Sequence, residues 1–356
     1  MMRRIFRMLG AVALVFVFVV GATLIISGVG DFDVPSAPKR DISFKNGDTD
    51  LHGTFVAGSE SGPIVLIVHG DGAQDRWSDG YALPLVNALV EAGLSVFSWD
   101  KPGTGTSTGN WLHQTMQDRA AEVSAALAAI RNLPGAQDRS VGLLGFSQAG
   151  WVLRRVPSMT DGADFMILIG AAINWQDQER YFTSVRLSLE GKPAESIAAE
   201  LDRQAVDNQH WFGGGGSYQD FVRAERAAGR RAADIPSKDR FHFIRQNRAE
   251  DARADIDLLT LPLLVLMGAE DLNVDPQETV SVYRDLIGGD HPRNAIQLIP
   301  QATHSLLDAQ HYNYQLPDQW SLMAQIRFAL AGRKAYQDGV IQTIAEWINT
   351  ATSKTP

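Results

Sequence analysis

The stretch Val141-Gly142-Leu143-Leu144-Gly145-Phe146-Ser147-Gln148-Ala149-Gly150 constrains the fold of this chain more than any other. An apolar run too short for a helix ends in a serine flanked by small residues, and helix-compatible sequence follows. Strands buried on both faces read as continuous apolar runs, the mark of a parallel sheet covered by helices. Small residues at Gly145 and Ala149 let strand and helix backbones nearly touch across a sharp turn. Ser147 is thereby predicted at the tip, above the sheet edge. Ala149 stands where a second glycine would complete G-x-S-x-G, and one methyl group is tolerable there with Gly150 next.

Similar runs recur at Pro63–Val68, Leu94–Trp99, Phe165–Ile169, Leu263–Met267 and Ala295–Ile299. Helical spacing lies between or after them, over Leu83–Ala92, Met116–Leu133 and near Tyr336–Thr350. Ahead of them, two alternating segments around Asn46-Gly47 read as a hairpin. Strands alternating with helices predict an α/β fold: a mostly parallel central sheet with helices on its faces. The texture changes after Ala172. Residues 173–257 are rich in charge and alanine, read as helices, and hold the tetrad Gly213-Gly214-Gly215-Gly216. That tetrad has no preceding strand and no following lysine-serine, so it is a flexible break and not a phosphate loop. The expected organisation is one core, residues 40–172 and 258–356, interrupted by a helical insertion over residues 173–257 that caps the sheet edge. The segment Leu307–Lys334 is a second candidate for part of the pocket wall.

At the N-terminus Arg3, Arg4 and Arg7 precede an uncharged run from Met8 to Gly30. Positive charge before an apolar run long enough to span a bilayer predicts a signal anchor, or a signal peptide, over residues 1–30, with a linker over residues 31–39. The rest of the chain is then exported, tethered to the inner membrane through residues 8–30 or secreted if the signal is cleaved. The absence of cysteine excludes disulfides, thiolate metal sites, a cysteine nucleophile and a lipoprotein anchor. A net charge of −9 argues against nucleic acid as a partner.

Two further strand ends carry chemistry. The run ending at Met267 leads into Gly268-Ala269-Glu270-Asp271, and the next ends in Pro300-Gln301-Ala302-Thr303-His304. Ser147, Asp271 and His304 would thus meet at one sheet edge. A serine is a poor nucleophile until a neutral imidazole takes its proton, and a buried carboxylate holds that imidazole in one tautomer. Asp275 also follows this strand but precedes Pro276, which suits a helix N-cap better than catalysis. Acyl transfer also needs two donors aimed at the developing oxyanion. The backbone N–H groups of Gln148 and, in His69-Gly70-Asp71-Gly72, of Asp71 are the candidates, with Gly72 an open alternative for the second.

With His69-Gly70-Asp71-Gly72, Asp100-Lys101-Pro102-Gly103-Thr104-Gly105-Thr106-Ser107 and Gly145-Phe146-Ser147-Gln148-Ala149 on the page, the chain resembles the α/β-hydrolase superfamily. The branch it resembles is that of bacterial secreted serine esterases related to the prolyl-oligopeptidase hydrolase domain. The resemblance covers about residues 40–172 and 258–350 and departs at Ala149, at Pro102 and in the insertion. It implies a cofactor-free, metal-free hydrolase that cleaves a small-molecule acyl ester through an acyl-enzyme. It also implies that the Asp100–Gly109 loop is a structural turn. A peptidase or thioesterase would use the same site, and a non-catalytic binding protein the same fold.

Overall fold

A computed structural model describes residues 28–287 and 291–353. The expected membrane anchor falls almost wholly on residues 1–27, outside the described residues. Among the described residues no helix is long and apolar enough to cross a membrane.

Eight strands form one sheet: β1 (Lys39–Asn46), β2 (Thr49–Val56), β3 (Ile64–Val68), β4 (Ser95–Trp99), β5 (Val141–Phe146), β6 (Phe165–Ile169), β7 (Leu263–Gly268) and β8 (Ala295–Ile299). Their order is β1-β2-β4-β3-β5-β6-β7-β8. The first two form the expected hairpin, and β2 pairs antiparallel with β4. From β4 to β8 every pairing is parallel. Every residue of β3, β4, β6 and β7 is buried, which is why these strands read as unbroken apolar runs.

The helices are α1 (Leu83–Glu91), α2 (Met116–Arg131), α3 (Ala149–Leu153), α4 (Trp175–Leu189), α5 (Ala194–Phe212), α6 (Tyr218–Ala227), α7 (Lys238–Asn247), α8 (Pro276–Ile287), α9 (Ala309–Tyr312), α10 (Leu322–Ala331) and α11 (Val340–Thr352). On one sheet face Val123 and Leu127 of α2, Val152 of α3 and Val280 of α8 pack with Ile64 and Leu66. On the other, Leu85 and Leu89 of α1 and Ile344 and Ile348 of α11 pack with Val65 and Ile67. Burying one such side chain stabilises the fold by about 1.5–3 kcal/mol, so alternate residues of β3 bind the two helical layers together.

Residues 173–257 supply α4 to α7 and a small core of their own, Phe212, Phe221 and Phe241. Buried Arg154, just past α3, holds Glu250 at 2.8 Å and also pairs with Asp255, which ties down the end of the insertion. Asn247 Oδ1 accepts from the Met116 N–H at 3.0 Å, and the Phe243 ring meets Trp111 at 5.3 Å.

Candidate active site

Ser147 follows β5 with φ 50°, a left-handed conformation that costs a non-glycine residue about 1–3 kcal/mol. The strain is held from both sides. The Ser147 N–H donates to the Ile169 carbonyl at the end of β6, 2.8 Å away, and the Ser147 carbonyl accepts from the Gly150 N–H at 2.9 Å. A Cβ at Gly145 would come within 2.9 Å of the Ala149 Cβ and 2.6 Å of the Leu153 side chain, so the strand–helix approach requires glycine there. Ala149 itself is fully buried and fits.

Asp271 and His304 follow neighbouring strands, β7 and β8, and the sheet brings them together. His304 Nδ1 lies 2.7 Å from Asp271 Oδ2 although the residues are 33 apart in sequence. The other carboxylate oxygen of Asp271 accepts from the N–H groups of Asn273, at 2.7 Å, and Val274, at 3.0 Å. The carboxylate is therefore fixed, and with Oδ2 accepting from Nδ1–H, the histidine keeps Nε2 free as a base. Burial disfavours the charged imidazole, but the adjacent Asp271 carboxylate outweighs it and raises the His304 pKa above its ordinary value. Asp275 points elsewhere. Its Oδ1 accepts from the N–H groups of Gln277 and Glu278 at the start of α8, the geometry of a helix N-cap.

Ser147 and His304 line one cleft of about 550 Å³, together with Gly70, Asp71 and Gly72. The Gly70 backbone runs against the serine, since a Cβ there would stand 3.3 Å from Ser147 Cβ. This puts the loop carrying the Asp71 N–H beside the elbow carrying the Gln148 N–H. The rest of the wall comes mainly from residues 303–336, among them Tyr312, Tyr314, Leu316, Trp320, Phe328 and Tyr336. None of the described residues lining the cleft belongs to residues 173–257. The insertion's contacts with the α2–α3 side hold it beside the cleft. It reaches the rim through Arg240, bidentate on Asp71 at 2.6 and 2.8 Å, and through the Tyr181 hydroxyl, which donates to the Asp271 carbonyl at 2.7 Å.

Two buried cations behind the His69–Gly72 loop are absent from the sequence-derived site. Lys101 Nζ donates to the carbonyls of Gly70, at 3.0 Å, and Gly72, at 2.7 Å, and lies 4.4 Å from the centre of the Trp111 ring. Burial, and then the nearby Arg119 charge, press the Lys101 pKa well below its usual range. Arg119 of α2 donates to the His69 carbonyl and to Gln148 Oε1, both at 2.6 Å. In a trans peptide C=O and N–H point in opposite directions. Pinning the Gly70 carbonyl to Lys101 therefore turns the Asp71 N–H away from that lysine. The Asp100–Gly109 loop is the turn that the sequence implies: Asp100 Oδ1 accepts from Arg76 N at 2.9 Å, and Arg76 Nη2 reaches Oδ2 at 2.6 Å. These bonds overcome burial and hold the Asp100 pKa down to about 2. Neither Lys101 nor Arg119 reads as a site residue in the sequence, because each finds its partners, backbone carbonyls and the Gln148 side chain, at distant points of the chain.

The sequence profile of the family named serine aminopeptidase, S33 matches residues 59–310. No curated protein matches the chain. Among solved structures, an esterase of Pyrococcus furiosus superposes with a TM-score of 0.55 at 14% identity, over 89% of this chain and 93% of its own. The protein DcsB, solved with a substrate analogue, gives 0.56 at 14% identity, over 89% of this chain and 100% of its own. A membrane phospholipase A described as a bacterial virulence factor gives 0.52 at 18% identity, over 99% of this chain and 100% of its own. At such identities the likeness shows the fold, which is that of the α/β-hydrolases.

Proposed function

The chain belongs to the serine aminopeptidase S33 family of α/β-hydrolases, and from that premise we propose that it is a serine esterase. Ser147 attacks the acyl carbon, His304 takes the serine proton and passes it to the leaving alcohol, and Asp271 orients and stabilises the imidazolium. The Gln148 and Asp71 N–H groups receive the oxyanion. Water then attacks the acyl carbon and gives a proton to His304, which returns it to the Ser147 oxygen as the ester bond to serine breaks and the acid leaves. The observation that carries this reading is the 2.7 Å contact between His304 Nδ1 and Asp271 Oδ2, on the same cleft as a serine held at φ 50°.

An ester with an apolar acyl group suits the wall best. Tyr312, Leu316, Trp320 and Phe328 supply apolar surface, while Asp71, which accepts from Gln148 Nε2 at 3.2 Å, is engaged by Arg240. A free α-amino group, as an aminopeptidase would bind, finds no unengaged partner in that carboxylate. A fluorophosphonate probe should label Ser147 and leave Ser147→Ala unlabelled. A panel of esters, thioesters and aminoacyl amides should show turnover of the esters first. Labelling of Ser147→Ala equal to that of the native chain sinks the assignment of the nucleophile.

The arginines ahead of the apolar run support a second part of the reading. Residues 8–30 tether an exported catalytic domain to the inner membrane. Protease added to intact spheroplasts should digest residues 40–356, and their full protection would refute the topology.

A further inference from the structure

The helix α10 has no polar side. Its sequence, Leu322-Met323-Ala324-Gln325-Ile326-Arg327-Phe328-Ala329-Leu330-Ala331, contains two polar residues in ten. Ala324 and Phe328 turn inward, Phe328 on to the cleft wall. The opposite side would be polar in an ordinary surface helix. Here Leu322 is 72% exposed, Met323 65%, Ile326 43% and Leu330 39%. Val29, next to the Gly28 that packs on Leu330, is exposed as well, and half-exposed Tyr81 stacks on Phe328 at 5.5 Å where the helix meets the cleft. An exposed apolar patch of this kind marks a surface that meets something apolar.

What it meets follows from where the chain arrives. Gly28 packs so tightly on the Leu330 carbonyl that a methyl group would not fit. Three residues on, Asp31 is held by Arg333, which donates from its backbone N–H at 2.8 Å and its Nε at 2.9 Å. The described end of the apolar run, residues 28–30, therefore lies against the C-terminal end of α10. We infer that the outer face of α10 rests on the lipid bilayer, so that the cleft opens beside the membrane and takes acyl esters carried in it. This rests on the esterase reading and on the tether proposed above. Charge agrees with a membrane surface: α10 carries no acidic residue, and exposed Arg327 and Lys334 suit anionic headgroups.

The absence of cysteine makes the test direct. Met323→Cys in the full chain, labelled with a small fluorophore and reconstituted in vesicles of zwitterionic and anionic phospholipid, should be quenched by spin-labelled lipid. The same label on Val206→Cys, at an exposed position of the insertion, should not be. Equal quenching in both variants, or disulfide cross-linking of two Met323→Cys chains with no lipid quenching, overturns the inference; the second result would assign the face to another copy. Failure of the full chain to stay on vesicles overturns tether and docking together. A triple variant, Leu322→Ser, Met323→Ser and Ile326→Ser, should lose at least about tenfold of its rate on a vesicle-borne ester, because less apolar area enters the interface. Its rate on a short soluble ester should stay unchanged. Lipid quenching without turnover of any ester would sink the esterase reading and leave the docking standing, and turnover without quenching would do the reverse.

Discussion

Replacing Lys101 by methionine isolates one task, the aiming of the loop proposed to receive the oxyanion. Methionine keeps much of the apolar stem and removes the ammonium that holds the Gly70 and Gly72 carbonyls at 3.0 and 2.7 Å. Hydrogen bonds to a charged donor are worth about 1.5–3 kcal/mol each. Their loss leaves the 70–72 peptides free to rotate, and the Asp71 N–H turns with the Gly70 carbonyl because the two belong to one planar unit. Removing one oxyanion donor outright costs about 2.7–4 kcal/mol, a factor of about 10²–10³ in kcat. A donor loosened instead of deleted should cost less, about 10–10² in kcat, with KM little changed because the oxyanion exists only past the ground state. Stability should move little, since replacing a buried charge by an apolar side chain of similar length also removes its desolvation penalty. The assay is kcat and KM on a soluble ester, beside the melting temperature and the affinity for a boronic-acid transition-state analogue. The analogue should weaken in step with kcat, whereas a product acid should not. A folded Lys101→Met variant with kcat within about twofold of the native value would refute the reasoning, because an aimed donor contributes more than that.

Four other outcomes follow from the site. Asp271→Asn should keep the fold and lose about 10³–10⁴ in kcat, while Asp275→Asn should stay active, and even complete loss of that cap would cost only about 1 kcal/mol in thermal unfolding. The acid limb of kcat/KM should have its midpoint above the ordinary histidine pKa, because His304 must be neutral to accept the serine proton and Asp271 raises its pKa. In Asp271→Asn the residual rate should titrate at lower pH, since burial then acts on the imidazole without the opposing charge. Trp320→Ala should shift acyl-chain preference toward longer chains, whereas Val206→Ala in the insertion should leave the profile unchanged; equal shifts in an ester chain-length series would contradict the wall described here.

The sequence by itself determined the layered architecture and which strand ends carry the candidate site residues. Strands buried on both faces must be apolar throughout, so β3, β4, β6 and β7 announce themselves. A serine between small residues at a strand end leaves few backbone paths besides a tight turn. Asp275 before Pro276 reads as a cap because capping is local, needing only the N–H groups two and three residues on. The tertiary structure decided what depends on distant parts of the chain meeting. Sheet order, with β7 beside β8, closes the 33-residue gap between Asp271 and His304. The lysine behind the His69–Gly72 loop is recognised only by where its ammonium lands, because a backbone carbonyl carries no residue-specific signal in the sequence. The same holds for the seat of the insertion. Helical periodicity tells that residues 173–257 form helices, but contacts such as Arg154–Glu250 and Phe243–Trp111 fix which way they lean, and these join residues that no local pattern connects.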